Sequence, residues 1–134
     1  MKSFFRYISI CLLLISLLVY CKPKEQIILG DWEYVSLTID TNKAQIWSFK
    51  EDNSIIRSLD TLKDTGTWLM EAARISGGKR LVVSGLSNLA VGAEANGTFE
   101  ILTLNNKYLI LQRILLSDGT AGGAFLRIEF VKKQ

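Results

Sequence analysis

Residues Thr98 to Leu115 read TFEILTLNNKYLILQRIL, and this stretch decides the fold class. Two runs rich in leucine, isoleucine and aromatic residues flank the dipeptide Asn105-Asn106. Strand-like runs separated by two turn-forming residues are typical of a β-hairpin, and asparagine tolerates the positive φ angles of a type I′ turn. The stretch therefore predicts antiparallel strands Thr98–Leu104 and Lys107–Leu115, joined by a type I′ turn.

The rest of the chain repeats this pattern on both sides. Short apolar runs alternate with clusters of Asp, Asn, Ser and Gly at intervals of roughly 8 to 12 residues, the spacing of an all-β domain. No long helical pattern competes with it, and the single proline, Pro23, precedes every predicted strand. The pattern predicts eight strands: Trp32–Ile39, Ala44–Lys50, Ser54–Leu59, Gly66–Met70, Arg80–Leu86, Thr98–Leu104, Lys107–Leu115 and Ala124–Lys132.

The last two strands differ in how they alternate. In the final strand Leu126, Ile128 and Phe130 share one face while Arg127 and Glu129 share the other, which indicates one buried and one wet face. The strand before it is apolar on both faces, which indicates a more enclosed position. An eight-stranded antiparallel up-and-down barrel satisfies both patterns and leaves no exposed sheet edge.

The N-terminus has the features of a bacterial lipoprotein export signal. Lys2 and Arg6 give a positive start, Ile8–Val19 form an apolar core, and Leu18-Val19-Tyr20-Cys21 resembles a lipobox that ends in the cysteine to be lipidated. The resemblance implies that Cys21 carries lipid and that the protein is a membrane-anchored lipoprotein. The absence of Asp after Cys21 resembles the outer-membrane sorting class.

The apolar run Ile8–Tyr20 has an alternative reading as an uncleaved membrane anchor. It has 13 residues, fewer than the roughly 20 that a spanning helix needs, and a signal peptide is therefore favoured. This interpretation divides the chain into a signal peptide at 1–20, a lipidated cysteine with a polar tether at 21–28, and one barrel domain at 29–134. More than one acyl chain on Cys21 would make the anchoring stable.

Charge and cysteine content restrict the function of the mature chain. Without residues 1–20, 114 of the 134 residues remain, and the basic side chains fall from 16 to 14 against 13 acidic ones. Such a balance does not favour nucleic acid as a partner. Cys11 leaves with the signal and Cys21 is consumed by lipid, so no thiol remains for a disulfide, a metal or a nucleophile.

Three short motifs resemble the lipocalin superfamily, and in particular the small bacterial lipocalin-like lipoproteins. Leu29-Gly30-Asp31-Trp32 is similar to the Gly-x-Trp motif that opens the first strand. Ile46-Trp47-Ser48-Phe49 is followed by the acidic turn Lys50-Glu51-Asp52-Asn53, and Gly66-Thr67-Trp68 repeats the Gly-x-Trp pattern. The resemblance spans nearly the whole mature chain and implies a lipocalin-like barrel.

The same resemblance implies how the barrel is closed. In lipocalins the motif tryptophan closes one end and packs against an arginine from the last strand. Gly30, Trp32 and Arg127 are expected to fill these structural places, with Arg113 as the alternative arginine. A guanidinium over an indole contributes roughly 0.5–1 kcal/mol when exposed and more when dry.

Aromatic side chains and one irregular segment are the candidates for ligand binding. Trp47, Phe49 and Trp68 would line a pocket for a small ligand, although strand aromatics more often form core. Leu86–Gly97, which contains Leu86 and Leu89, is the least strand-like stretch and is expected to be an apolar lid or a partner-contact loop. A bulged strand or a short helix plugging the core is the alternative.

The chemistry that is missing argues against an enzyme. The chain has no histidine, and it has no P-loop, dinucleotide fingerprint or calcium loop, so no catalytic, metal or cofactor site is expected. The first hypothesis is an envelope binding module for a small hydrophobic ligand. The second is an envelope interaction or inhibitor lipoprotein with a filled barrel that binds a protein partner. Fold alone does not choose between them.

Overall fold

The computed structural model describes residues 23–35, 44–73, 77–91, 94–121 and 126–134. No helix within these ranges combines the length and the apolar character that crossing a bilayer requires. In chain order the elements are α1 Lys24–Ile28, β1 Gly30–Tyr34, β2 Gln45–Phe49, β3 Ser54–Leu59, β4 Leu62–Ala72, β5 Lys79–Ser84, a 3-10 helix Leu89–Val91, β6 Gly97–Leu104, β7 Tyr108–Leu115 and β8 Arg127–Lys132.

The strands form one closed barrel in which each strand pairs antiparallel with the next along the chain. β8 returns to pair with β1, which places Lys132 opposite Trp32 and Phe130 opposite Tyr34. Closure gives each described strand two hydrogen-bonded neighbours. The prediction of an all-β, eight-stranded antiparallel up-and-down barrel is confirmed.

The strand boundaries agree best where turn signals are sharp. β3 has the predicted bounds, whereas β4 begins at Leu62 rather than at Gly66. The reason is Asp60, whose φ of 57° allows a tight turn, so that pairing starts at once with Leu59 opposite Leu62. Residues 36–39 and 124–125 of two predicted strands lie outside the described residues.

The hairpin between β6 and β7 forms, but its turn is not the predicted type I′. A type I′ turn needs positive φ at both central residues, and Asn53 and Asp60 are the non-glycine residues with positive φ in the described ranges. Instead, the Asn105 side-chain oxygen accepts hydrogen bonds from the amides of Lys107 and Tyr108, each at 2.8 Å. Asparagine therefore acts here through its side chain, as in an Asx turn.

Aromatic side chains fill the barrel interior. Trp47 packs against Phe130 with ring centroids 5.0 Å apart and against Phe99 at 6.5 Å, and Phe49 meets Trp68 edge-on at 5.6 Å. Each such pair contributes roughly 0.5–1.5 kcal/mol beyond the area that it buries. Eight strands leave an interior that side chains can fill, and these rings belong to one continuous buried core.

Helix α1 covers one end of the barrel, which is called the helix end below. Ile28 is fully buried, and its carbonyl accepts a hydrogen bond of 2.6 Å from the Trp32 indole N–H. Glu25 forms an ion pair of 2.7 Å with Lys79 at the start of β5. Helix α1 therefore lies within the segment 21–28 that the sequence assigns to the lipidated cysteine and its tether.

The cation that covers Trp32 is Lys132, not the expected Arg127. The Lys132 ammonium lies 4.9 Å from the centre of the Trp32 ring and donates to the Ile27 carbonyl at 2.8 Å. Arg127 is exposed and pairs with Glu129 instead, whereas the alternative Arg113 lies over Phe99. Strand alternation explains the correction, because β8 turns residues 128, 130 and 132 inward and turns Arg127 outward. Gly30 and Trp32 do stand at the start of β1.

Replacing the two cations of β8 separately tests this closure. Lys132→Met is expected to lower the free energy of unfolding by about 1–3 kcal/mol, because it removes a charged hydrogen bond and a cation–π contact. Arg127→Met is the matched control and is expected to change it by less than about 0.5 kcal/mol. Urea unfolding measures both. Equal losses for the two variants would contradict the assignment of Lys132.

Candidate functional site at the loop end of the barrel

The end of the barrel opposite α1 is called the loop end below. The up-and-down topology brings four connections together there: the links from β1 to β2, from β3 to β4, from β5 to β6 and from β7 to β8. The turn at Asp60 and Thr61 is the shortest of them. Because loops on a rigid scaffold carry most binding surfaces, this end is the candidate functional site.

A closure segment, Leu86–Val91, is tied down on the loop end. Leu86 and Val91 are buried, and the Gln45 side-chain amide donates to the Val91 carbonyl at 2.9 Å. The Asn96 side chain bonds both backbone groups of Leu86, at 3.0 Å and 2.6 Å. The described part of the predicted lid region thus has the alternative form, a short helix that plugs the core. Residues 92 and 93 lie outside the described residues.

A buried ion pair lies beneath the closure segment. Arg57 donates to Asp64 at 3.0 Å, and the two side chains are 1% and 4% exposed. The strand register places Arg57 beside Trp47 and opposite Asp64, all on the inner wall. This pair was not predicted from the sequence. The available signal was strand alternation. Arg57 lies on the same face of β3 as Ile55, and Asp64 lies on the same face of β4 as Trp68.

Hydrogen bonds connect this pair to the closure segment. The Ser87 amide donates to Asp64 at 3.1 Å, and Arg57 donates to the Asn88 carbonyl at 3.2 Å. Burial raises the pKa of Asp64, but the bonds from the backbone amides of Ser87 and Asn88, together with Arg57, outweigh it and leave the pKa below its ordinary value. The carboxylate is therefore ionised at neutral pH and holds the segment in place.

The aromatic ligand candidates come together but are packed against one another. Trp47, Phe49, Trp68 and Leu86 are buried members of the core, whereas Leu89 is 70% exposed at the outer surface. The Trp68 indole donates to the Lys50 carbonyl at 3.1 Å. The indole N–H of Trp47 meets no acceptor within the part of the chain that the structure describes.

The rim of the loop end carries exposed apolar side chains. Val35 follows β1, Leu62 begins β4, Leu89 lies on the 3-10 helix and Leu126 precedes β8, and each is at least 40% exposed. Single exposed apolar residues are normal, but several on one end of a small barrel indicate an interaction surface. These four residues are called the apolar rim.

Other candidate sites are weaker. A cleft of about 240 Å³ lies on the outer wall beside the β5–β6 and β7–β8 connections of the loop end, between Val82, Thr98 and Leu116. One of its polar groups, the Ser84 hydroxyl, already bonds Thr67 at 3.0 Å. Within the described ranges, no three acidic, histidine or cysteine side chains converge as metal ligands. The loop end therefore remains the best-supported site.

Comparison with protein-family models, with curated proteins and with solved structures finds no match for this chain. The geometry of the barrel itself therefore carries the information about its function. The two features of that geometry with the clearest chemistry are the buried pair under the closure segment and the apolar rim around it.

Removing one or both members of the buried pair measures what it contributes. Asp64→Asn is expected to lower the free energy of unfolding by about 3–5 kcal/mol, because Arg57 would lose its buried counter-charge. The double variant Arg57→Met with Asp64→Leu is expected to lie within about 1 kcal/mol of wild type, since apolar packing replaces the pair. Glu129→Gln, which removes an exposed ion pair, is the control. Urea unfolding that shows the double variant as unstable as Asp64→Asn would contradict this reading.

Acid stability separates wild type from the same double variant. The pKa of Asp64 is lowered in the folded state. The ionised carboxylate therefore stabilises the fold fully above the pKa of Asp in the unfolded chain, about 4, and this stabilisation is lost as pH falls through the lower pKa of the folded state. Wild type should therefore lose more free energy of unfolding than the double variant between about pH 4 and pH 2. The other acidic groups with a lowered pKa, Glu25, Asp52 and Asp118, are present in both proteins and cancel. Parallel pH profiles would refute the role of Asp64.

Proposed function

We propose that this chain is a bacterial envelope lipoprotein, anchored through lipid on Cys21 in the outer membrane, and that it works by binding rather than by catalysis. The barrel is a rigid scaffold, and its loop end is the binding surface. The partner is an apolar surface of another envelope protein. The observation that carries this proposal is the packed interior, in which the residues expected to line a pocket contact one another.

The apolar rim gives the filled barrel a surface for such a partner. Leu89 stands on a segment that several hydrogen bonds hold in place. Gln45 bonds Val91, Arg57 bonds Asn88, Ser87 bonds Asp64, and Asn96 bonds Leu86 twice. A preorganised loop loses less entropy on binding than a mobile one, so more of the contact energy becomes affinity. The rim is therefore suited to a protein surface more than to an enclosed small molecule.

The chemistry of the described residues favours binding over catalysis. General acid–base work needs a group whose pKa lies near the working pH, whereas the pKa of the buried carboxyl of Asp64 is lowered and its oxygens are bonded to Arg57 and Ser87. The chain also lacks histidine, the commonest catalytic base. These features support a non-enzymatic role.

A small hydrophobic ligand with a hydrogen-bond acceptor is the second candidate. Trp47 is 2% exposed, and its indole N–H meets no acceptor in the described residues. A buried donor without a partner costs about 1–3 kcal/mol, so an acceptor delivered by a ligand would be favourable there. Entry would require the closure segment to open, because Trp47 lies next to Arg57 on the inner wall.

Mass spectrometry of the full chain tests the proposal. The protein is expressed with its own N-terminus in a bacterial host, extracted from membranes and measured first denatured, for lipid on Cys21, and then native, for bound molecules. Wild type is expected to carry lipid and a protein partner of defined mass. Leu62→Asp with Leu89→Asp should reduce that partner by roughly tenfold or more, the effect of losing a central contact.

Two further variants separate the outcomes. Leu69→Asp is the matched control for the rim, because Leu69 is also exposed but lies on the outer wall of β4, and it should retain the partner. Trp47→Phe removes the indole N–H and also shrinks a buried ring, so circular dichroism checks that the variant folds; its effect on binding should appear only for a small ligand. A small added mass that is lost in Trp47→Phe and kept in the rim variant would replace the first candidate with the second. Absence of lipid would refute the anchoring.

A further inference from the structure

We infer that the helix end of the barrel is a lipid-contacting face, and that it lies on an anionic membrane surface while the loop end faces away. This inference rests on the proposed lipidation of Cys21. It adds an interaction surface and an orientation that lipidation alone does not supply, because a tethered barrel without such a face would tumble freely on its anchor.

The point at which the chain enters the fold favours this orientation. Pro23 is exposed and leads directly into α1, which covers the helix end. Cys21 is two residues earlier, so its Cα lies within about 7 Å of that of Pro23. A strand of eight residues such as β7 is about 26 Å long. An anchor on Cys21 therefore holds the helix end close to the membrane and leaves the loop end farther from it.

Lysines are concentrated at the same end. Of the seven lysines in the described residues, Lys63 lies at the loop end, and the other six lie at the helix end: Lys24, Lys50, Lys79, Lys107, Lys132 and Lys133. Three of these meet where β7 begins and β8 ends, because the Lys132 amide donates to the Lys107 carbonyl at 2.9 Å. The same end also carries Glu25, Asp31, Glu51, Asp52 and Glu71, which partly balance these lysines. Juxtamembrane lysines are attracted to anionic lipid.

An apolar patch lies beside these lysines. Tyr108 and Val131 are cross-strand partners on the outer wall and are 50% and 41% exposed. Tyrosine prefers the headgroup level of a bilayer, and lysine stems reach along apolar surface while their ammonium groups stay in water. Tyr108 and Val131 between Lys107 and Lys133 form what is called the basal patch.

The charges around the basal patch fit lipid as its occupant. Lys107 and Lys133 are exposed, and the Asp31 carbonyl accepts from the Lys133 amide at 2.9 Å. Val131 has Tyr108 opposite it on β7 and the exposed Glu33 opposite it on β1. Glu25, the acidic residue of α1, is engaged with Lys79. The patch therefore has an apolar centre with two exposed lysines at the helix end and one acidic side chain, Glu33, on its β1 side. The two lysines are the part of the patch that attracts an anionic bilayer surface.

Fluorescence quenching at the two ends of β7 tests the orientation. Asn106→Cys places a probe in the turn at the helix end, and Ser117→Cys places one after β7 at the loop end; both positions are exposed. In the lipidated mature chain the introduced cysteine is the free thiol. The labelled proteins are reconstituted into vesicles of equal parts phosphatidylglycerol and phosphatidylcholine with nitroxide on the headgroups. The probe at residue 106 should be quenched at least twofold more than the probe at residue 117.

Surface variants then test the basal patch itself. Tyr108→Asp should reduce quenching at residue 106 by roughly twofold or more, because anionic lipid repels a carboxylate. Leu69→Asp is the control of equal chemistry on the outer wall of β4 and should leave quenching unchanged. Circular dichroism checks that both variants fold.

The remaining outcomes overturn the inference or the proposal beneath it. Equal quenching at both ends, or stronger quenching at residue 117, refutes the lipid-contacting helix end even when intact mass shows lipid on Cys21. Equal effects of Tyr108→Asp and Leu69→Asp refute the basal patch. If the intact mass shows no lipid, the anchoring proposal fails, and the same two probe positions, placed in a chain that also carries Cys11→Ser and Cys21→Ser and added to the vesicles, decide which end meets lipid.

Discussion

Lys132 makes the contact on which the rest of the barrel depends. Its backbone stands opposite Trp32 in the pairing that closes β8 on β1, while its ammonium covers the Trp32 ring and bonds the Ile27 carbonyl. One residue therefore joins sheet closure, the buried tryptophan and helix α1. Closure removes the free edges and also sets the width of the interior, which an eight-stranded barrel fills with side chains.

The two ends of the barrel are sealed by different interactions. At the helix end, an apolar residue and an indole, Ile28 and Trp32, are covered by a short helix. At the loop end, the ion pair of Arg57 and Asp64 holds the closure segment through directional hydrogen bonds. A buried ion pair contributes little net stability compared with apolar packing. The ion pair instead fixes the closure segment in one position through its hydrogen bonds, and this position leaves Leu89 exposed on the apolar rim.

Period-2 alternation predicted most of the fold, because it depends on local sequence alone. It located β3 and the core face of β8, and the meander followed from neighbouring strands. It did not locate the start of β4, because Lys63 and Asp64 resemble a polar turn although Asp64 points inward. Its partner Arg57 is charged too, and local sequence predicts that a charged residue is exposed. Burial of both charges is favourable only when the strand register places them opposite each other.

The candidate site was harder to predict than the fold for a physical reason. Aromatic side chains such as Trp47, Phe49 and Trp68 can either line a ligand pocket or form a packed core. Only the distances between their rings distinguish a pocket from a core. The apolar rim is likewise invisible in sequence, since its members come from four separate connections that topology brings to one end. A barrel with a filled interior has its accessible binding surfaces at its two ends. Lysine and tyrosine lie at the helix end, from which the chain continues to Cys21, and aliphatic side chains lie at the loop end. Under the proposed anchoring on Cys21, this division would give the protein one end for the membrane and one for a partner.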